Sequence, residues 1–136
     1  MNDITITIRQ ISAAASEAAI RQHRVLIDRP VAKGGSDMGP MGGELFLSAI
    51  GGCFMSNLLA AMRARNVEMP GLQTQVTGTL ADNAPARFTA VELHVTADSP
   101  DPETLAHLVE IADRGCIMMN TLRDKFDVRI RLAAPV

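Results

Sequence analysis

The chain has no tryptophan, no tyrosine and only four phenylalanines among its 136 residues. Binding bases or sugars by stacking takes flat aromatic platforms, and this sequence has almost none to offer. Charge is nearly balanced, with 13 basic and 15 acidic residues for a net charge of −2. That leaves no basic footprint for a phosphate backbone. The start, Met1-Asn2-Asp3-Ile4-Thr5, has neither a basic region nor an apolar signal segment. No apolar run reads as the ~18 residues of a membrane span. A cytoplasmic protein without nucleic-acid or membrane partners is expected. His23, His94 and His107 are scattered and share no ligand spacing with the cysteines, so neither a metal nor a cofactor is expected.

Cysteine is nearly absent too. The two present, Cys53 and Cys116, are too few for a cysteine zinc site. In a cytoplasmic chain they are unsuited to a permanent staple. Two readings stay open on the residues alone: buried small hydrophobes, or a redox pair that the fold brings together.

What is abundant is apolar, at 47% of residues, enough for one domain over residues 1–136 with its own core. Ile4, Ile6 and Ile8 alternate with polar residues and predict a strand. Ser12 to Ala19 reads as an irregular link, and Ile20 to Asp28 as a second strand in a hairpin, stopped by Pro30. Val31 to Gly43 is a loop with five glycines, either lining a site or an interface or merely connecting. Glu44 to about Asn66 predicts one long helix, apolar on nearly all sides and therefore central and buried. Gly51-Gly52 within it predicts a close approach by another backbone.

Leu72 to Leu80 and Phe88 to Ala97 predict a second hairpin. A helix follows, capped by Ser99 or Asp101, striped by Leu105, Leu108 and Val109, and ended by Gly115. Cys116 to about Lys125 predicts a short helix and Asp127 to Leu132 a last strand. The fold class is α+β, in the order β-β-α-β-β-α-α-β.

The thiolate is the reactive form of cysteine. Cys53 in mid-helix needs a cation from elsewhere, whereas Cys116 stands at a helix start, where the dipole favours a thiolate. Two adjacent thiols could run peroxidase chemistry, one attacking the O–O bond and the other resolving the sulfenic acid as a disulfide. An external dithiol would then reduce that disulfide. Phe46, Phe54, Met55, Met118 and Met119 are apolar neighbours that suit an organic hydroperoxide, or are simply core.

The stretch from Gly39-Pro40 through an acidic residue and an apolar helix to Cys53, with Cys116 as second cysteine, resembles the OsmC/Ohr family. These are the osmotically inducible and organic hydroperoxide resistance proteins, and the OsmC-like branch is the nearer. The resemblance implies an intertwined homodimer with central helices packed together. It also implies a peroxidatic Cys53, a resolving Cys116, and an Arg–Glu pair that activates the first cysteine. Glu44 is the acidic candidate, although the family glutamate falls one position earlier, on Gly43. Arg21, Arg24 and Arg29 are the basic candidates. Phe46, Phe54, Met118 and Met119 would line the hydroperoxide site. The competing functions are a non-enzymatic dimeric domain that holds a small apolar ligand, and a thiol redox sensor.

Overall fold

The computed structural model describes residues 2–98, 101–123 and 127–132. Two compact units emerge, the first ending at Phe46 and the second starting at Leu47. The fold class is α+β, as expected, with two three-stranded sheets and three α-helices among the described residues.

In the first unit, strands β1 (Thr7–Gln10), β2 (Ser16–Ile20) and β3 (His23–Ile27) form an antiparallel meander. The sequence predicts only two strands here. Ser16–Ile20 is short, rich in alanine and lacks a large-residue alternation, so it carries little strand signal of its own. It becomes a strand because it is hydrogen-bonded on both sides, with Ala18 opposite Ile8 on one edge and Val25 on the other. Ser12 makes the first turn, its hydroxyl accepting from the Ala14 and Ala15 amides at 3.3 and 3.0 Å. Arg21 makes the second, in the left-handed region at φ 53°. β1 starts later than predicted, and Ile4, Ile6 and Ile8 stay exposed.

The glycine-rich segment is an ordered loop wound around one carboxylate. Asp28 is only 3% exposed. Its Oδ1 accepts from the Arg29 amide at 2.7 Å, and its Oδ2 accepts from the Ser36 and Met38 amides at 3.1 Å each. These bonds, that from Met38 foremost, hold its pKa below the ordinary carboxylate value against the opposing cost of burial. Two glycines are required by close approach. A Cβ on Gly35 would lie 2.0 Å from the Arg29 carbonyl oxygen, and one on Gly39 would lie 2.2 Å from that of Leu26. A 3-10 turn spans Val31–Lys33.

Helix α1 (Gly42–Ala64) begins in the first unit and runs on through the second. It is long and apolar enough to cross a membrane, with a mean hydropathy of 1.7 over 18 residues. This corrects the sequence expectation. Interspersed glycine, serine and alanine hide the run from inspection without lowering its mean much. Ile50, Phe54, Leu58, Ala61 and Met62 are buried, while Leu59 is exposed. The helix is not buried all round, however. Ser48, Ala49, Gly52, Ser56 and Ala60 are exposed along one face.

In the second unit, β4 (Gln73–Leu80) pairs antiparallel with β5 (Phe88–Thr96), and β6 (Asp127–Leu132) pairs parallel with β5. The parallel return is made across α2 (Pro102–Gly115) and α3 (Ile117–Leu122). Alternation along β5 buries Val91, Leu93 and Val95, and the stripe on α2 buries Leu105, Leu108, Val109 and Ala112. Asp101 is the N-cap of α2, with Pro102 in its first turn. Ser99, the alternative cap, and Lys125, the expected helix end, lie outside the described residues. Gly51 does mark a close approach, but to a side chain: a Cβ there would lie 2.6 Å from Val76 Cγ2 on β4. Gly52 faces open space.

Candidate functional site: a thiol pair in the second unit

The second unit brings together two sulfurs that are 63 residues apart in sequence. Cys53 sits in the middle of α1, and Cys116 is the residue that ends α2 and caps α3. The Cys116 thiol donates to the Cys53 sulfur at 3.3 Å. Both cysteines are free. A disulfide bond is ~2.05 Å long, so bonding requires the sulfurs to close by about 1.3 Å.

The backbone fixes Cys116 tightly. Its amide donates to the Asp113 carbonyl at 3.2 Å, and its carbonyl accepts from the Asn120 amide at 3.0 Å. Gly115 just before it ends α2, so the chain turns at the cysteine and starts a new helix. This kink directs the Cys116 side chain into the core, where no surface of the residue remains accessible. Cys53 differs in being half-buried.

Burial sets the direction in which the Cys116 pKa moves. Loss of water pushes its thiol above the ordinary thiol range, and the neighbouring Cys53 sulfur adds to the rise. The Met119 and Met118 amides hydrogen-bond the sulfur and pull the other way, but they lose. The expectation that a helix start would favour a thiolate at Cys116 is therefore corrected. α3 is only six residues long, and desolvation outweighs two amides. Cys116 is held as a thiol that donates, with Cys53 as its acceptor.

The other candidate residues are placed as follows. Phe54 and Met119 are fully buried in the core of the second unit. Met118 is half-buried, two residues after Cys116. Met55 accepts a hydrogen bond at its sulfur from the Thr74 hydroxyl at 3.0 Å. Phe46, half-buried, belongs to the first unit. So do Glu44, Arg21, Arg24 and Arg29. Glu44 caps its own helix, its carboxylate accepting from the Met41 amide at 2.9 Å in the reciprocal half of a capping box. Arg24 lies 3.7 Å from Glu17 and donates to the His23 carbonyl. Arg21 is exposed at the β2–β3 turn. Among the described residues no group of three or more histidines, cysteines or acids could hold a metal.

Sequence reasoning missed the part played by Asp28. The available signal was an acid at the end of a strand, directly ahead of a glycine-rich loop whose amides need an acceptor. The loop also lines a cavity of about 430 Å³ within the first unit, together with Arg29 and Lys33.

Comparison with known proteins bears on the family and the fold. Residues 34–131 match the sequence model of a family described as OsmC-like protein. No curated protein matches the chain in sequence. Among solved structures, an OsmC-like protein from Mycoplasma pneumoniae superposes with a TM-score of 0.83 at 19% identity, over 99% of both chains. The organic hydroperoxide resistance protein OhrB of Bacillus subtilis gives 0.71 at 20% identity, over 95% of this chain and 98% of that one. An organic hydroperoxide resistance protein OsmC from Legionella pneumophila gives 0.72 at 17% identity, over 96% and 97%.

Proposed function

As the chain belongs to the OsmC-like protein family, we propose that it is a cysteine-based peroxidase that reduces organic hydroperoxides. In this reading the Cys53 thiolate attacks the terminal oxygen of R–O–OH. The O–O bond breaks, the alkoxide leaves as the alcohol after taking a proton, and Cys53 becomes a sulfenic acid. The Cys116 sulfur then attacks the Cys53 sulfur, an S–S bond forms, and hydroxide leaves as water. An external dithiol restores both thiols by exchange.

The observation that carries the reading is the 3.3 Å separation between the sulfurs of a half-buried and a fully buried cysteine. The partial solvent contact of Cys53 suits an attacking thiol, and the buried Cys116, 3.3 Å away, suits a resolving one. Resolution before a second peroxide arrives protects Cys53 from irreversible over-oxidation. The names of the Bacillus and Legionella structures are in keeping with an organic hydroperoxide as substrate. The apolar character of Phe46, Phe54, Met118 and Met119 suits such a substrate better than hydrogen peroxide.

Two features support a homodimer, and the cytoplasmic location rests on the sequence expectation alone. The exposed α1 face of Ser48, Ala49, Gly52, Ser56 and Ala60 is apolar or small and has no cover within the chain. Ile4, Ile6 and Ile8 are likewise exposed. Activation of Cys53 by Glu44 with Arg21 or Arg24 is carried by the family resemblance alone, and alanine variants at these positions test it directly.

The experiment is consumption of cumene hydroperoxide in the presence of a dithiol, followed with wild type and with Cys53→Ser. Turnover by wild type that is lost in the variant supports the proposal. A disulfide that forms without turnover points instead to a redox sensor. Two thiols that stay free under excess hydroperoxide overturn both.

A further inference from the structure

We infer that the oxidised pair is reopened from one side only: the reductant attacks Cys53, the mixed disulfide forms on Cys53, and Cys116 is the sulfur that leaves. The inference deepens the proposed peroxidase cycle and rests on it for the physiological role of the step.

Thiol–disulfide exchange needs a thiolate to approach one sulfur roughly in line with the bond that will break. Which sulfur is attacked depends on access as well as on electronics. Cys116 has no accessible surface. It is enclosed by its own chain at the α2–α3 junction, where Ala112 and Met119 are equally buried. A second copy of the chain could cover more surface but could not uncover this residue. Cys53 is half-buried, and it is the one residue of the pair that keeps contact with solvent.

The electrons balance along this route. The incoming thiolate bonds to Cys53 Sγ, the Cys53–Cys116 bond breaks, and its electron pair goes to Cys116 Sγ. That sulfur takes up a proton, which its buried setting favours once it is free. It thereby returns to the donor state seen in the structure. The second thiol of a dithiol reductant then attacks the mixed disulfide and releases Cys53 as a thiolate, leaving the reductant as its own disulfide.

Electronics alone oppose this order. A sulfur whose thiol pKa is raised is a slow leaving group, and burial raises that of Cys116. The Met118 and Met119 amides directed at the sulfur lessen the handicap, because they stabilise the negative charge that builds there. Access outweighs what remains, since Cys116 has no exposed surface among the described residues.

The test uses the folded wild-type protein, oxidised with diamide so that formation of the disulfide does not depend on peroxidase activity. The disulfide is exposed briefly to 2-mercaptoethanol, quenched with acid and N-ethylmaleimide, and mapped by peptide mass spectrometry. The expected product carries mercaptoethanol on Cys53 and maleimide on Cys116, in roughly tenfold or greater excess over the reverse pair. An even mixture, or mercaptoethanol mainly on Cys116, overturns the inference, as does failure of diamide to link the two. If diamide links them but hydroperoxide does not, the peroxidase reading fails while the order of reopening stands on its own data.

Discussion

The Cys116 thiol donates a hydrogen bond to the Cys53 sulfur across 3.3 Å, and the donor is the one with no exposure to solvent. The two cysteines thus differ in surroundings: Cys53 is half-buried and keeps some contact with solvent, whereas Cys116 keeps none.

The first prediction concerns those roles. Cys53→Ser abolishes peroxide turnover. Cys116→Ser allows a single turnover and leaves Cys53 as sulfenic or sulfinic acid, because no second thiol remains to condense with it. Single-turnover mass spectrometry on both variants reads the outcome. Sulfenic acid on Cys116 in Cys53→Ser, with none on Cys53 in Cys116→Ser, reverses the assignment.

The second concerns the carboxylate inside the loop. Asp28 accepts three amide hydrogen bonds and its folded-state pKa is depressed. Its contribution to stability is therefore complete above the ordinary carboxylate value of 3.8 and is lost as pH falls through the lower folded value. Asp28→Asn turns an amide NH₂ toward backbone donors and should destabilise the protein at neutral pH. The gap between wild type and variant should narrow in acid. Urea denaturation at several pH values measures this, and a gap that is independent of pH would rule out the electrostatic account.

The third concerns the approach of α1 to β4. Gly51→Ala forces a Cβ to within 2.6 Å of Val76 Cγ2 and should cost about 1–3 kcal/mol as overpacking. Adding Val76→Ala removes the clashing methyls, so the double variant should cost less than the sum of the two singles. Thermal denaturation of the four proteins gives the coupling. Simple additivity would mean that the two residues are not in contact.

The fourth concerns assembly. Gly52 sits in mid-helix with open space where a Cβ would go. In an isolated chain, Gly52→Ala should stabilise the helix by about 1 kcal/mol. If a second copy lies against this face, as proposed, the added methyl should weaken the association instead. Light scattering and denaturation at two protein concentrations separate these results. A stabilised, monomeric Gly52→Ala protein counts against the dimer.

Most of the second unit was legible from sequence. The β5 alternation through Val91, Leu93 and Val95, the α2 stripe with its proline start, and the last strand from Asp127 to Leu132 all lie where their periodicity puts them. The first unit was less legible. β2 has alanines where a strand usually carries branched residues, and only its two neighbours make it a strand. Gly51 signalled a close approach, but a glycine cannot say whether a backbone or a valine methyl will occupy the space.

The sequence by itself determined the local elements that carry a strong repeat, the glycine positions and the scarcity of thiols. These depend on residues close together along the chain, where a repeat of two or of 3.6 can be read directly. Tertiary structure alone decided that residues 63 apart would share a hydrogen bond, and which of the two thiols would lose its water. The direction of the Cys116 shift shows why. A helix start is visible in the sequence and argues for a thiolate. Desolvation comes from groups distant along the chain, and it is the larger effect.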